Sequence, residues 1–198
     1  MSEPLIPPHG GYRKLRSFKT AQLAYDLTVQ FVERYLDKRS RTCDQMVQAA
    51  RSGVQNIAEG SLASGTSKKT ELKLTNVARA SLEELRLDYE DFLRQRRLNL
   101  WGVKDRRVAR VRSARPADLA ALRAIGAALV SEMSDKSDGA GRSDKSKCKA
   151  EVAANLALVL ICQACALLDR QIERLARNFV DEGGFTERLY RIRSENRK

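Results

Sequence analysis

Residues 68–97 read KKTELKLTNVARASLEELRLDYEDFLRQRR, and this stretch decides the fold. Leu74, Val77, Ala78, Ser81, Leu85, Tyr89 and Phe92 recur every three or four positions, which lines them along one face of an α-helix. Leu82, Leu87 and Leu93 widen that stripe, so the helix needs more than one partner. The small residues Ala78, Ala80 and Ser81 permit a partner to come close. Upstream, Ala63-Ser64-Gly65-Thr66-Ser67 breaks the pattern, and Ser67 can cap the helix that begins at Lys68. Glu83, Glu84, Asp88, Glu90 and Asp91 are expected to pair with Arg79, Arg86 and Arg94 along the same helix.

On the N-terminal side the same period recurs twice. Met46, Val47, Ala50, Val54, Ile57 and Ala58 predict a helix from about Asp44 to Leu62. Phe18, Ala21, Tyr25, Leu27, Phe31, Val32, Tyr35 and Leu36 predict another, capped by Ser17 and ending near Lys38. Short links make these three helices antiparallel neighbours. Residues 1–16, with three prolines and a Gly10-Gly11 pair, read as a flexible basic arm. The next strongly apolar segment comes late, from Ala150 to about residue 180. Between them, residues 98–149 form a basic insert: Lys104–Arg112, readable as strand or helix, then a short helix from Ala117 to about Met133. The Ser- and Lys/Asp-rich run Ser131–Lys149 reads as a flexible loop. Residues 181–198 are a C-terminal extension holding one more short helix. The expected fold is all-α: an antiparallel up-down four-helix bundle with a long insert between helices three and four.

Composition agrees. No proline occurs between His9 and Arg115, which suits long helices and disfavours turn-rich β folds. The uncharged run Val152–Leu168 is near the lower limit of a bilayer span, but Asn155, Gln163 and the flanking Glu151 and Asp169 favour a buried helix. It is apolar on more faces than one bundle covers, which predicts a homo-oligomer. Four cysteines without an apolar leader are not a secreted disulfide framework, and a cytoplasmic location is expected. Lys and Arg total 37 against 25 acids, a net charge of +12 that points first to nucleic acid.

Asn56-Ile57-Ala58-Glu59-Gly60, then Ser67-Lys68-Lys69 and Ala78-Arg79-Ala80-Ser81-Leu82-Glu83-Glu84-Leu85, resemble the small four-helix bundle family. That family holds the proteins encoded in intervening sequences of 23S ribosomal RNA genes and the accessory variability determinant of diversity-generating retroelements. The resemblance covers residues 13–97 and 150–178; the insert and the C-terminal extension depart from it. It implies a four-helix protomer, a ring-shaped homo-oligomer, often a pentamer, and a basic surface for DNA or RNA. In the retroelement branch it implies a reverse transcriptase as partner. It brings no catalytic residues.

The residues themselves offer little enzyme chemistry. The single histidine, His9, lies in the arm, so Ser81 has no general base. Cys162-Gln163-Ala164-Cys165 has a metal or redox spacing but falls mid-helix, where core packing explains it better. No Glu-x-x-His exists to build a di-iron bundle. Asn56 and Glu59 are read as bridging the turn between helices two and three, beside a close approach at Gly60. No catalytic residue, cofactor or metal is expected. The basic tract is different. Arg94–Arg115 carries nine cations and one acid, a local charge of +8. Arg94, Arg96, Arg97, Arg106, Arg107, Arg110 and Arg112, with Arg13, Lys14 and Arg16 of the arm, are expected to contact phosphates. The leading function is thus a non-enzymatic, oligomeric nucleic-acid-binding accessory protein without a membrane partner. The alternative is an interaction scaffold whose basic face docks an acidic protein.

Overall fold

A computed structural model describes residues 4–134 and 142–195, and these are all-α, with no strand among them. After a 3-10 turn at Tyr12–Lys14 come α1 (Arg16–Tyr35), α2 (Arg41–Ala63), α3 (Lys68–Gln95), α4 (Arg106–Ala114), α5 (Leu119–Ser134), α6 (Arg142–Glu182) and α7 (Phe185–Glu195). Side-chain caps set several starts: Ser40 accepts from the Thr42 amide, Ser67 from Thr70 and Asp105 from Arg107. Asp118 accepts from the Ala121 amide at the head of α5. Gly183, at a φ of 70°, turns the chain out of α6 in the left-handed region that favours glycine.

Helix α1 packs on α2 and α6, and α3 packs on the same two helices. Across α2 and α3 the neighbours run in opposite order: Ser52 meets Ser81 through their hydroxyls at 2.9 Å, and Gly60 faces Glu71 and Leu74. A Cβ at Gly60 would lie 3.3 Å from the Glu71 carbonyl oxygen and from the Leu74 Cβ, so glycine there lets the two helices touch, as the sequence suggests. Asn56 does not bridge the turn; its amide donates to the carbonyl and hydroxyl of Ser52 on its own helix. The α3–α6 pair is also antiparallel, with Arg79 paired to Asp169 and Asn99, just past α3, held by Glu151. Arg79 therefore leaves the intrahelical scheme expected for it. Arg86 with Glu83 and Glu90, and Arg94 with Asp91, keep to that scheme.

Between α1 and α3 the core is aromatic. Phe31 stacks edge-on against Tyr89 and Phe92, with centroids 4.8 and 4.7 Å away. The wholly buried Tyr89 hydroxyl donates to Thr28 Oγ1 at 3.0 Å, and Thr28 donates onward to the Ala24 carbonyl. Each buried hydroxyl thus has a partner.

Three further expectations are corrected. Ser17 does not cap α1; it is buried one position inside, donating to Gln171 Oε1 of α6 at 3.0 Å. The N-terminal arm, from residue 4 onward, is docked: the Gly10 amide donates to the Ser61 carbonyl, and the His9 ring packs over Gly65. Residues 1–3 lie outside the described residues. The run Ser131–Lys149 is helical at both ends, since α5 continues to Ser134 and α6 starts at Arg142, ahead of the expected Ala150; 135–141 lie outside the described residues.

The burial of α6 bears on the expected assembly. Helix α6 is apolar and long enough to cross a bilayer, yet 72% of its apolar 18-residue stretch is buried inside the protein. Its extra apolar faces meet the insert: α4 sets Val108 and Val111, and α5 sets Leu122 and Leu129, into the same core as Val152, Leu156 and Leu160. The burial that suggested an oligomer is therefore met within one chain.

The aromatic core sets the first prediction. Phe31→Ala should cost about 3–5 kcal/mol, while Tyr89→Phe should cost only about 0.5–1.5 kcal/mol, because Thr28 keeps its bond to Ala24. Urea unfolding followed by circular dichroism gives both values, and equal losses would contradict this packing.

Candidate nucleic-acid interface

The ten cations expected to bind phosphate do not form one surface. Arg96 sits at the far end of α1, where its guanidinium donates to the Tyr35 carbonyl at 2.6 Å and lies 4.4 Å from the Phe92 ring. Arg94 pairs with Asp91, and Arg97 closes α3 with a left-handed φ of 54°. Arg13, Lys14 and Arg16 are at the opposite end of α1, about 30 Å away along twenty residues of helix. Arg13 lies against the Tyr12 ring, 5.3 Å from its centroid.

Within α4 the arginines divide by helical face. Arg107 points inward and is fully engaged. It forms an ion pair with Asp105 at 2.7 Å, lies 4.3 Å from the Trp101 ring centroid, and approaches Glu151 at 3.8 Å. Its hydrogen bond holds the Asp105 carboxyl below the usual range. Glu151 is buried and also accepts from the Asn99 amide and the Trp101 indole; Asn155 next to it accepts from the Trp101 amide at 2.8 Å. This cluster straps the segment after α3 onto α6. Arg107 is a structural residue, which corrects its place among the phosphate contacts. Arg110 is occupied by Glu132 of α5, while Arg106 is exposed at the start of α4.

Arg112 lies on the remaining face and meets cations from elsewhere. Together with Arg115 it borders an open groove of about 970 Å³ whose other walls are Arg16 and Lys19 of α1 and Arg170 of α6. The floor is apolar, formed by Leu23, Leu160 and Leu167, and no carboxylate among the described residues lines the groove. Among the described residues, Arg16, Lys19, Arg112 and Arg115 make no ion pair, while Arg170 spends one donor on the Ala166 carbonyl. A low-dielectric floor beneath like charges raises the local potential and attracts a polyanion. Arg115 ends α4 at a φ of 46°, a left-handed conformation that costs a non-glycine residue about 1–2 kcal/mol. Lys19, Arg115 and Arg170 were missed as site residues. Lys19 was legible, one helical turn beyond Arg16, but Arg170 reaches the groove only through the packing of α6 on α1.

The remaining polar candidates sit elsewhere. Asn56, Glu59, Ser81 and Glu84 border a polar trough between α2 and α3, lined also by Gln48 and Gln55. Cys165 is buried and its thiol is pushed up to about 12, mainly by desolvation, so it is inert at neutral pH; Cys162 borders the basic groove and is raised for the same reason. No group of three or more His, Cys, Asp or Glu suited to a metal occurs among the described residues. Comparison with protein-family models, with curated proteins and with solved structures finds no match for this chain.

These placements separate neighbours that look alike in sequence. Arg107→Ser should cost roughly 1–3 kcal/mol by removing the countercharge of buried Glu151, whereas Arg112→Ser should leave the melting temperature unchanged. Arg115→Gly relieves the left-handed strain and should stabilise by up to about 1 kcal/mol. Differential scanning calorimetry distinguishes the three outcomes, and a stability loss at Arg112 equal to that at Arg107 would refute the division of α4.

Proposed function

We propose that this chain is a non-enzymatic accessory protein that binds nucleic acid through its phosphate backbone. What supports this is the groove: five cations from three separate parts of the chain converge with no carboxylate of the described residues between them. A solvated helix face interleaves the two signs, as α3 does with Arg86, Glu83 and Glu90. Arg115 adds to this support, because it keeps a long charged side chain where glycine is the cheaper residue. The interface is centred on Arg16, Lys19, Arg112, Arg115 and Arg170, with Arg13 and Lys14 at its margin. Arg94, Arg96 and Arg97 form a separate basic end.

We read α1, α2, α3 and α6 as an antiparallel up-down four-helix bundle, with α4 and α5 as the insert before its last helix. The contacts of α1 and α3 with both α2 and α6 support this topology. Membership of the family of intervening-sequence proteins and retroelement accessory factors rests on the Asn56–Gly60 and Ala78–Leu85 motifs. The pentameric ring and the reverse transcriptase partner rest on that resemblance alone. Four free cysteines suit the cytoplasm. DNA and RNA are both suitable ligands, since phosphate contacts carry no base information.

The salt dependence of binding to a mixed-sequence oligonucleotide tests this function. Replacing Arg16, Lys19 and Arg112 by Ser together should weaken binding alike across sequences. It should flatten the log–log salt slope by about 0.9 per lost contact on duplex DNA, or about 0.7 on a single strand. An unchanged slope would move the interface away from the groove. No binding near physiological salt, with loss of an acidic protein partner in the same variant, would favour the scaffold.

A further inference from the structure

We propose that the basic groove takes a single strand in preference to a duplex, with phosphates on the cations of its two walls and unpaired bases laid against its floor. This rests on the nucleic-acid reading of the same groove and names the form of nucleic acid it takes. Helices α1 and α4 both pack on α6, and neither packs along the other. The strip of α6 left between them is the floor of the groove of about 970 Å³. Arg16 and Lys19, one turn apart, border it on the α1 side, and Arg112 and Arg115 border it on the α4 side.

The floor decides which form fits. Leu23 and Leu160 are buried beneath it, and the surface that water reaches is apolar as well: Ala166 is exposed, and Cys162, Leu167 and Pro116 are half-buried. A duplex keeps the flat faces of its bases stacked inside and turns its phosphates outward. It can satisfy the wall cations, yet it leaves the apolar strip in water. An unpaired strand has base faces to lay on that strip while its phosphates reach the walls. Gln163 of α6 and Thr20 of α1 also line the groove, and each can donate and accept, so they meet any base edge without selecting one. Arg170 donates from Nε to the Ala166 carbonyl at 3.0 Å, which anchors its guanidinium beside the floor. No aromatic ring of the described residues lines the groove, so bases are not held by stacking on a ring. The phosphates therefore supply most of the affinity, and the floor supplies the choice of strand.

The test titrates the full-length protein, by fluorescence anisotropy, with one mixed-sequence DNA strand, alone and annealed to its complement, at the same salt concentration. Phosphate contacts alone favour the duplex, whose charge is denser, so a preference for the single strand reports the floor. The single strand should bind at least about fivefold more tightly than the duplex. Ala166→Gln, at an exposed helical position on the floor, should weaken single-strand binding at least about threefold and leave duplex binding, both salt slopes and the melting temperature unchanged. Leu167→Gln is the second floor variant if the first does not fold. Modification by N-ethylmaleimide, read by peptide mass spectrometry, reports the floor directly. A saturating single strand should slow it at Cys162 at least about fivefold and leave Cys43, on α2, unaffected. Duplex binding as tight as single-strand binding, an unchanged single-strand affinity in a folded floor variant, or an unprotected Cys162 would overturn the inference and leave the nucleic-acid reading in place. Failure of both forms to bind near physiological salt would remove that reading, and this inference with it.

Discussion

The run from Val152 to Leu168 has to be kept from water on nearly every side, and the rest of the structure answers to that requirement. An ordinary bundle helix hides one stripe and wets the other. Here Ala154, Leu156, Ala157, Leu158, Val159, Leu160 and Ile161 are all buried in succession, which no single pair of neighbours can achieve. Helices α1 and α3 take two sides, and α4 and α5 take what is left. The insert is therefore part of the core.

That cover needs a fastening, because α4 is short and six of its nine residues are exposed. The fastening is polar. Glu151 and Asn155, one turn apart at the head of the apolar run, accept from the backbone and indole of Asn99 and Trp101, and Arg107 closes the cluster from α4. Inside a low-dielectric core such bonds are costly to leave unmade, so they fix the segment after α3 in one position. With Val108 and Val111 turned onto α6, Arg112 is turned toward the start of α1. The basic groove is thus a by-product of how the core is closed.

Charge density and available charge differ for the same reason. The tract from Arg94 to Arg115 is uniformly basic in sequence, yet Asp91, Glu132, Glu151 and the Tyr35 carbonyl take up Arg94, Arg110, Arg107 and Arg96. Of the cations left over, Arg112 and Arg115 gain neighbours from α1 and α6 that are distant in the chain. Ion pairing is decided through space, so a run of one sign overstates what it can offer a ligand.

By itself the sequence determined the long helices of the core, the Ser67 cap, the close approach at Gly60 and the aromatic stripe of α3, because these depend on residues three or four apart. It also determined the excess of positive charge and its concentration after α3. It misjudged Ser17, whose hydroxyl finds Gln171, and Arg107, whose partners Trp101 and Glu151 lie on other elements. The convergence of Arg16, Arg112, Arg115 and Arg170, and the coverage of α6 by the insert, were decided only by tertiary structure. Both depend on the angle at which helices far apart in the chain meet, and packing of complementary surfaces, rather than local periodicity, sets that angle.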